Sequence, residues 1–116
     1  MKDGYRCKLS NVDVFNRVDH ITLRGLYNQS KMLICTSKME TLHLAGMEAA
    51  ACNIPLLTTN VGAYYNLENG IWGRHINNIN NDVDYILNNL DSFNSRNYFE
   101  KTMSKEQCKN SWRKLI

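Results

Sequence analysis

Two short apolar runs, Met32-Leu33-Ile34-Cys35 and Pro55-Leu56-Leu57-Thr58-Thr59, flank a stretch crowded with small residues, Ala45, Gly46, Ala49, Ala50 and Ala51. The first run is compact and ends at Thr36-Ser37, which fits a buried strand, and the second is read as the next strand of the sheet. The small side chains between them let a helix, expected over Thr41 to Cys52, lie close against that sheet, and Asn53 is a suitable stop. Upstream, Val12 to Phe15 reads as another strand, followed by Asn16, which tolerates the left-handed backbone of a tight turn. Ile21, Leu23, Leu26 and Tyr27 give Ile21 to Gln29 a mainly helical spacing. The order β-α-β-α-β predicts a parallel sheet with right-handed crossovers. Beyond Gly62 the chain loops through Asn69-Gly70 and Gly73, forms a short strand near Arg74 to Ile76, and ends in helices from about Asp82, Ser95 and Lys105.

A chain of 116 residues makes one domain, with no internal repeat and no clear linker. No apolar run approaches the ~20 residues of a membrane span, and the N-terminus lacks the apolar stretch of a signal peptide, so a cytoplasmic protein is expected. Cys7, Cys35, Cys52 and Cys108 are widely spaced, which indicates neither a zinc site nor a disulfide framework and leaves buried or inert thiols. The net charge of +3 is mild, but part of it is ordered: Lys101, Lys105, Lys109 and Arg113 recur every four residues near a last helix that Ser104 and Gln107 can open as a capping box. This row is read first as a solvated face opposite Cys108, Trp112 and Leu115. The alternative is contact with another protein segment or with anionic lipid headgroups, the latter making the protein peripheral at a membrane surface. Nucleic acid is not expected as a partner, because no aromatic residues interleave with the basic ones and no reader motif is present.

Ligand sites in open parallel sheets lie beyond the carboxyl ends of the strands, where loops lead into helix N-termini. Here those loops are Ser37 to Leu44 and Asn60 to Ala63, and the amides around His43 to Ala45 would open a helix suited to phosphate. Glu40 and Glu48 stand eight positions apart in this region. On one continuous helix they would be separated by about 12 Å and about 80°, facing one side. That span suits two ends of an elongated polar ligand. It is too wide for a carboxylate pair acting on one bond, for which about 6.5–9.5 Å suffices.

These residues fall in an ordered string: Phe15-Asn16-Arg17-Val18, Leu23 to Tyr27, Thr36-Ser37, Glu40-Thr41-Leu42-His43-Leu44, Glu48-Ala49-Ala50-Ala51, Asn53-Ile54-Pro55 and Val61-Gly62. The string resembles the C-terminal, donor-binding half of retaining GT-B glycosyltransferases of the family 4 type, the glycosyl transferases group 1 domain. Their pattern has a Phe-x-Gly-x-Val turn, a Leu-x-x-Leu-Tyr helix, a Glu-Gly-Phe-Gly-Leu loop, a second Glu, Gly-x-Pro and a closing Val-Gly. The resemblance covers about residues 12–76, with 82–116 as C-terminal helices, and implies a partial Rossmann-like parallel sheet flanked by helices.

Carried over, the resemblance implies that Glu40 faces the donor sugar as the candidate catalytic residue, while Glu48 accepts hydrogen bonds from the ribose hydroxyls. Thr41 and the main chain at His43 and Leu44 would cradle the diphosphate, Val18 would border the base, and Ser37 and Gly62 would line the pocket. It implies a UDP- or GDP-linked hexose donor, no cofactor and no Asp-x-Asp metal motif, with the leaving diphosphate stabilised by positive charge and amide dipoles. Thr41 and His43 stand where the family has glycines, as does Asn53; His43 either donates to the diphosphate or turns its ring away. Asn66 lies near a position where the family often carries another Glu.

Only eleven residues precede Val12. The family's basic pair, catalytic His and acceptor domain are therefore expected outside this chain, in a missing N-terminal domain or a partner chain, and the chain alone is expected to be inactive. The alternative is a non-catalytic α/β binding or assembly module derived from such a domain. His20 and His75 are expected to be ordinary loop or surface residues, and Tyr64, Tyr65 and Trp72 to form an apolar patch over the sheet edge.

Overall fold

The computed structural model describes residues 10–115. Among these, three strands, β1 (Leu33–Cys35), β2 (Leu56–Thr58) and β3 (Gly73–His75), form one parallel sheet in the order β1-β2-β3. Leu33, Ile34 and Cys35 stand opposite Leu56, Leu57 and Thr58, which in turn stand opposite Gly73, Arg74 and His75. The helices are α1 (His20–Gln29), α2 (Leu44–Ala51), α3 (Ile79–Asn88), α4 (Ser95–Thr102) and α5 (Lys105–Leu115). This is the expected α/β architecture. The central strand β2 is fully buried, covered on both faces, whereas β1, expected to be buried, is an edge strand with Ile34 44% exposed.

Two expected elements differ. Residues 12–15 form no strand; Val12, Val14 and Phe15 are exposed, Phe15 by 56%. A strand is stabilised by a ladder partner, and no described strand pairs with this segment. The left-handed residue of the turn that follows is Arg17 (φ 52°), not Asn16. The second difference is the start of α2, which begins at Leu44, three residues later than expected. Glu40 therefore precedes the helix and Glu48 lies within it. The geometry of a shared helical face does not apply to the pair.

Asn53 ends α2 as expected, with φ 62° and its amide bonded to the Ala50 carbonyl, a left-handed stop that Asn tolerates better than most side chains. Its carboxamide oxygen accepts from the Arg96 amide (3.1 Å), and the Arg96 guanidinium donates to the Ala51 carbonyl (3.2 Å), so α4 closes the exposed end of α2. Ser95, buried at the start of α4, donates to the Ile54 carbonyl (2.8 Å).

Behind the sheet edge runs a series of rings: His43 to Tyr64 (5.5 Å between centroids), Tyr64 to Trp72 (4.6 Å) and Trp72 to His75 (5.1 Å). Tyr64 and Trp72 thus belong to the core, and burial pushes the Tyr64 phenol above its ordinary pKa. His75 is half-buried in β3, with Nε2 donating to the Leu67 carbonyl (2.7 Å). Gly73 makes this packing possible: its φ is 146°, and a Cβ there would come within 1.9 Å of the Leu56 carbonyl oxygen.

Candidate functional site

The loop after β1 and the loop after β2 meet at the carboxyl ends of their strands. Between them lies a cleft of about 380 Å³ lined by Lys38, Met39, Glu40, Thr41, Asn60, Val61, Gly62 and Tyr65. Glu40, Thr41 and Gly62 are brought together here from distant points in the sequence. Ser37 stands behind them: its hydroxyl donates to the Glu40 carboxylate (2.8 Å) and accepts from the Cys35 thiol (3.3 Å). Its carbonyl accepts the Thr59 hydroxyl, so the Glu40 loop is fastened to the next strand.

His43 resolves its two alternatives by turning inward. The ring is 1% exposed, at the N-cap of α2, where Nδ1 accepts from the Gly46 amide (3.2 Å) and Nε2 lies 2.9 Å from the Thr58 hydroxyl. Because Nδ1 accepts, the neutral ring's proton lies on Nε2 and is donated to Thr58, whose own hydroxyl donates to the Thr59 carbonyl (3.0 Å). His43 also has φ 64°. It holds the left-handed backbone that a glycine adopts freely, at a cost of about 1–2 kcal/mol. The cap it provides is worth about 0.5–2 kcal/mol, so the two effects nearly cancel. Thr41 has no positive φ and needs no such offset.

Two glycines accommodate this arrangement. A Cβ on Gly46 would lie 2.6 Å from His43 Nδ1, and one on Gly62 would lie 2.8 Å from His43 Cβ and 3.2 Å from Glu40 Cβ, with φ at 61°. Val61-Gly62 therefore packs directly against the start of α2. The amides of Leu44 and Ala45 occupy the first turn, ahead of the capped Gly46 amide, and have no acceptor within the helix. The Leu44 side chain is exposed and lines none of the clefts described.

Glu48 occupies a separate setting. Its carboxylate accepts from the Tyr27 hydroxyl of α1 (3.2 Å) and borders a cleft of about 190 Å³ with His20, Leu23, Arg24, Tyr27, Ala51 and Cys52. Burial, and next the charge of Glu48, push the Tyr27 phenol up to about 12. Val18 is half-buried just before Asp19, the cap of α1, and lines neither cleft. Asn66, with φ 56°, pairs with Asn60 through its amide (2.6 Å) and its carboxamide (3.0 Å).

The profile of the family described as glycosyl transferases group 1 matches residues 2–91. The chain belongs to that family. No curated protein and no solved structure matches it. The matched segment takes in both clefts of this glycosyltransferase domain and extends past the 12–76 stretch on which the resemblance rests. Lys38 and Asn60 lie in the two loops expected to face a ligand but were not singled out there, and Tyr65, expected in an apolar patch, lines the cleft instead. Each flanks or closely follows a motif residue, and Lys38, between Ser37 and Glu40, is the cation whose position gave the clearest available signal. Among the described residues Cys35, Cys52 and Cys108 are free, the first two half-buried and Cys108 exposed; Cys7 lies outside the described residues. Also among the described residues, no cluster of three His, Cys, Asp or Glu side chains is placed to hold a metal.

Proposed function

We propose that this domain binds the nucleotide-sugar donor of a retaining glycosyltransferase that moves a hexose from a UDP- or GDP-linked donor to an acceptor. The observation that carries the reading is the convergence of Glu40, Thr41 and Gly62 on one cleft beside the start of α2. Glu40, held by Ser37, bonds the sugar hydroxyls and is the residue nearest the chemistry. The Leu44 and Ala45 amides, with the positive end of the α2 dipole, receive the diphosphate. Lys38, lining the same cleft, adds charge that stabilises the leaving group as the glycosidic bond breaks.

Glu48 takes the ribose. It follows Leu44 by four residues, about 6 Å along the helix and about 40° around it, a separation suited to neighbouring parts of one nucleotide. One of its oxygens is engaged by Tyr27, and the other is available to a ribose hydroxyl. A partner domain or chain supplies the acceptor site and the remaining basic groups.

Thermal unfolding tests this assignment. At about 100 times Kd, UDP or GDP stabilises by about 2.7 kcal/mol, which for a domain of this size raises Tm by roughly 10 °C. Glu48→Ala removes most of that shift. Glu40→Ala leaves the nucleotide shift in place and removes the increment added by the sugar of an intact donor. Absence of a shift with any nucleoside diphosphate, for protein shown to be folded, sinks the proposal in favour of the non-catalytic binding module.

A further inference from the structure

Helix α5 faces the opposite way from the one its pattern suggests. Periodicity alone puts Cys108 and Trp112 inward, yet Cys108 is exposed and Trp112 is 68% exposed. The half-buried positions are Gln107 and Asn110, preceded by Met103 and Ser104. Ser104 opens the helix as expected, accepting from the Gln107 amide (3.3 Å). Lys101, however, lies in the last turn of α4, so the basic row on α5 is Lys105, Lys109 and Arg113.

Around the helix axis five exposed residues, Cys108, Trp112, Lys105, Lys109 and Arg113, run in that order within a sector of about 140°. An aromatic side chain thus stands about 20° from a row of three cations. Among the described residues no ion pair occupies those cations, and the one acidic residue of α5 is Glu106, at the rim of the sector. Glu100, on α4, is held by Arg96 (3.4 Å).

We propose that α5 is a membrane-surface helix that docks on anionic lipid, with Trp112 in the headgroup layer and Lys105, Lys109 and Arg113 on the lipid phosphates. Charge complementarity and the exposed indole carry this assignment. Tryptophan, apolar in its body and polar at its N–H, favours the interface between hydrocarbon and water. The alternatives fit the same surface less well. A groove on a protein is read through apolar anchors, whereas three of the five residues in this sector are cations. Single-stranded nucleic acid needs successive stacking platforms, and α5 has one aromatic residue. The helix, at 11 residues about 16 Å long, lies on a bilayer rather than through it. Among the described residues no helix is long and apolar enough to cross a membrane.

The test is flotation of the full chain with phosphatidylcholine vesicles, either alone or containing one-third phosphatidylserine. The chain should float with the anionic vesicles at low salt, release at high salt, and stay behind with neutral vesicles. Each basic residue removed should lower partitioning about five-fold. Combined Lys105→Glu, Lys109→Glu and Arg113→Glu should lower it at least a hundred-fold, with an unchanged circular dichroism spectrum because all three side chains are exposed. Brominated lipid should quench emission from the bound chain, and Trp112→Phe should abolish the quenching while leaving the buried Trp72 signal. No flotation, equal flotation with neutral vesicles, retention by the triple variant, or unquenched Trp112 would each overturn the proposal.

Discussion

Glu40 and Glu48 belong to one sequence motif but occupy different physical settings. Glu40 stands in a loop before α2, fastened by the Ser37 hydroxyl at the rim of a cleft of about 380 Å³. Glu48 stands within α2, tied to α1 through the Tyr27 hydroxyl beside a cleft half that volume, about 190 Å³. The first depends on how two loops pack around left-handed backbone at His43 and Gly62; the second depends on helix-to-helix contact. Spacing in sequence does not reveal this difference, and perturbations should separate the two sides.

Gly62→Ala should cause the largest effect. It puts a side chain at φ 61° and within 2.8 Å of His43, so a loss of about 2–4 kcal/mol in urea unfolding is expected, together with collapse of the Glu40 cleft. His43→Ala should cost about 2 kcal/mol through the lost cap and the lost bond to Thr58, whereas His43→Gly, which accepts the left-handed backbone, should be about 1 kcal/mol milder. If Ala and Gly are equally tolerated at 43, the conformation at His43 is not what holds the loop.

Tyr27→Phe should act on the Glu48 side alone, at about 0.5–1 kcal/mol. It should also change the alkaline limb of stability. The Tyr27 phenol rises from 10.0 to about 12 on folding, so its contribution is complete below about pH 10 and is lost as pH climbs toward 12. The difference in stability between wild type and Tyr27→Phe should therefore shrink across that window, measured by denaturation at fixed pH values. Ser37→Ala should be mildest, about 0.5 kcal/mol in unfolding, while loosening Glu40 enough to weaken donor-sugar binding more than nucleotide binding.

Strands and stop signals were legible because they depend on local chemistry. Leu33–Cys35 and Leu56–Thr58 fall within short apolar runs that end at threonines, and Asn53 tolerates the backbone at which α2 ends. The start of α2 was hidden because its cap is an imidazole that reaches both the Gly46 amide and a strand hydroxyl, a contact set by the tertiary fold. Residues 12–15 carry apolar side chains, but a strand requires a paired backbone that sequence cannot count. Periodicity found the stripes of α5 without fixing their direction, since a helix rotated on its axis keeps the same pattern. Glu40, Thr41 and Gly62 lie at one cleft, with Ser37 bonded to Glu40 behind them. The His43 ring is taken up by the fold, and Glu48 and Val18 lie apart from that cleft.

The two tryptophans report on different parts of the molecule. Trp72 is sealed between the Tyr64 and His75 rings, and Trp112 is open to water on the outermost helix. Their emission should separate into a blue component from the core and a red component from the tail, so one fluorescence melt can follow fraying of α5 and collapse of the sheet as distinct signals without an added label.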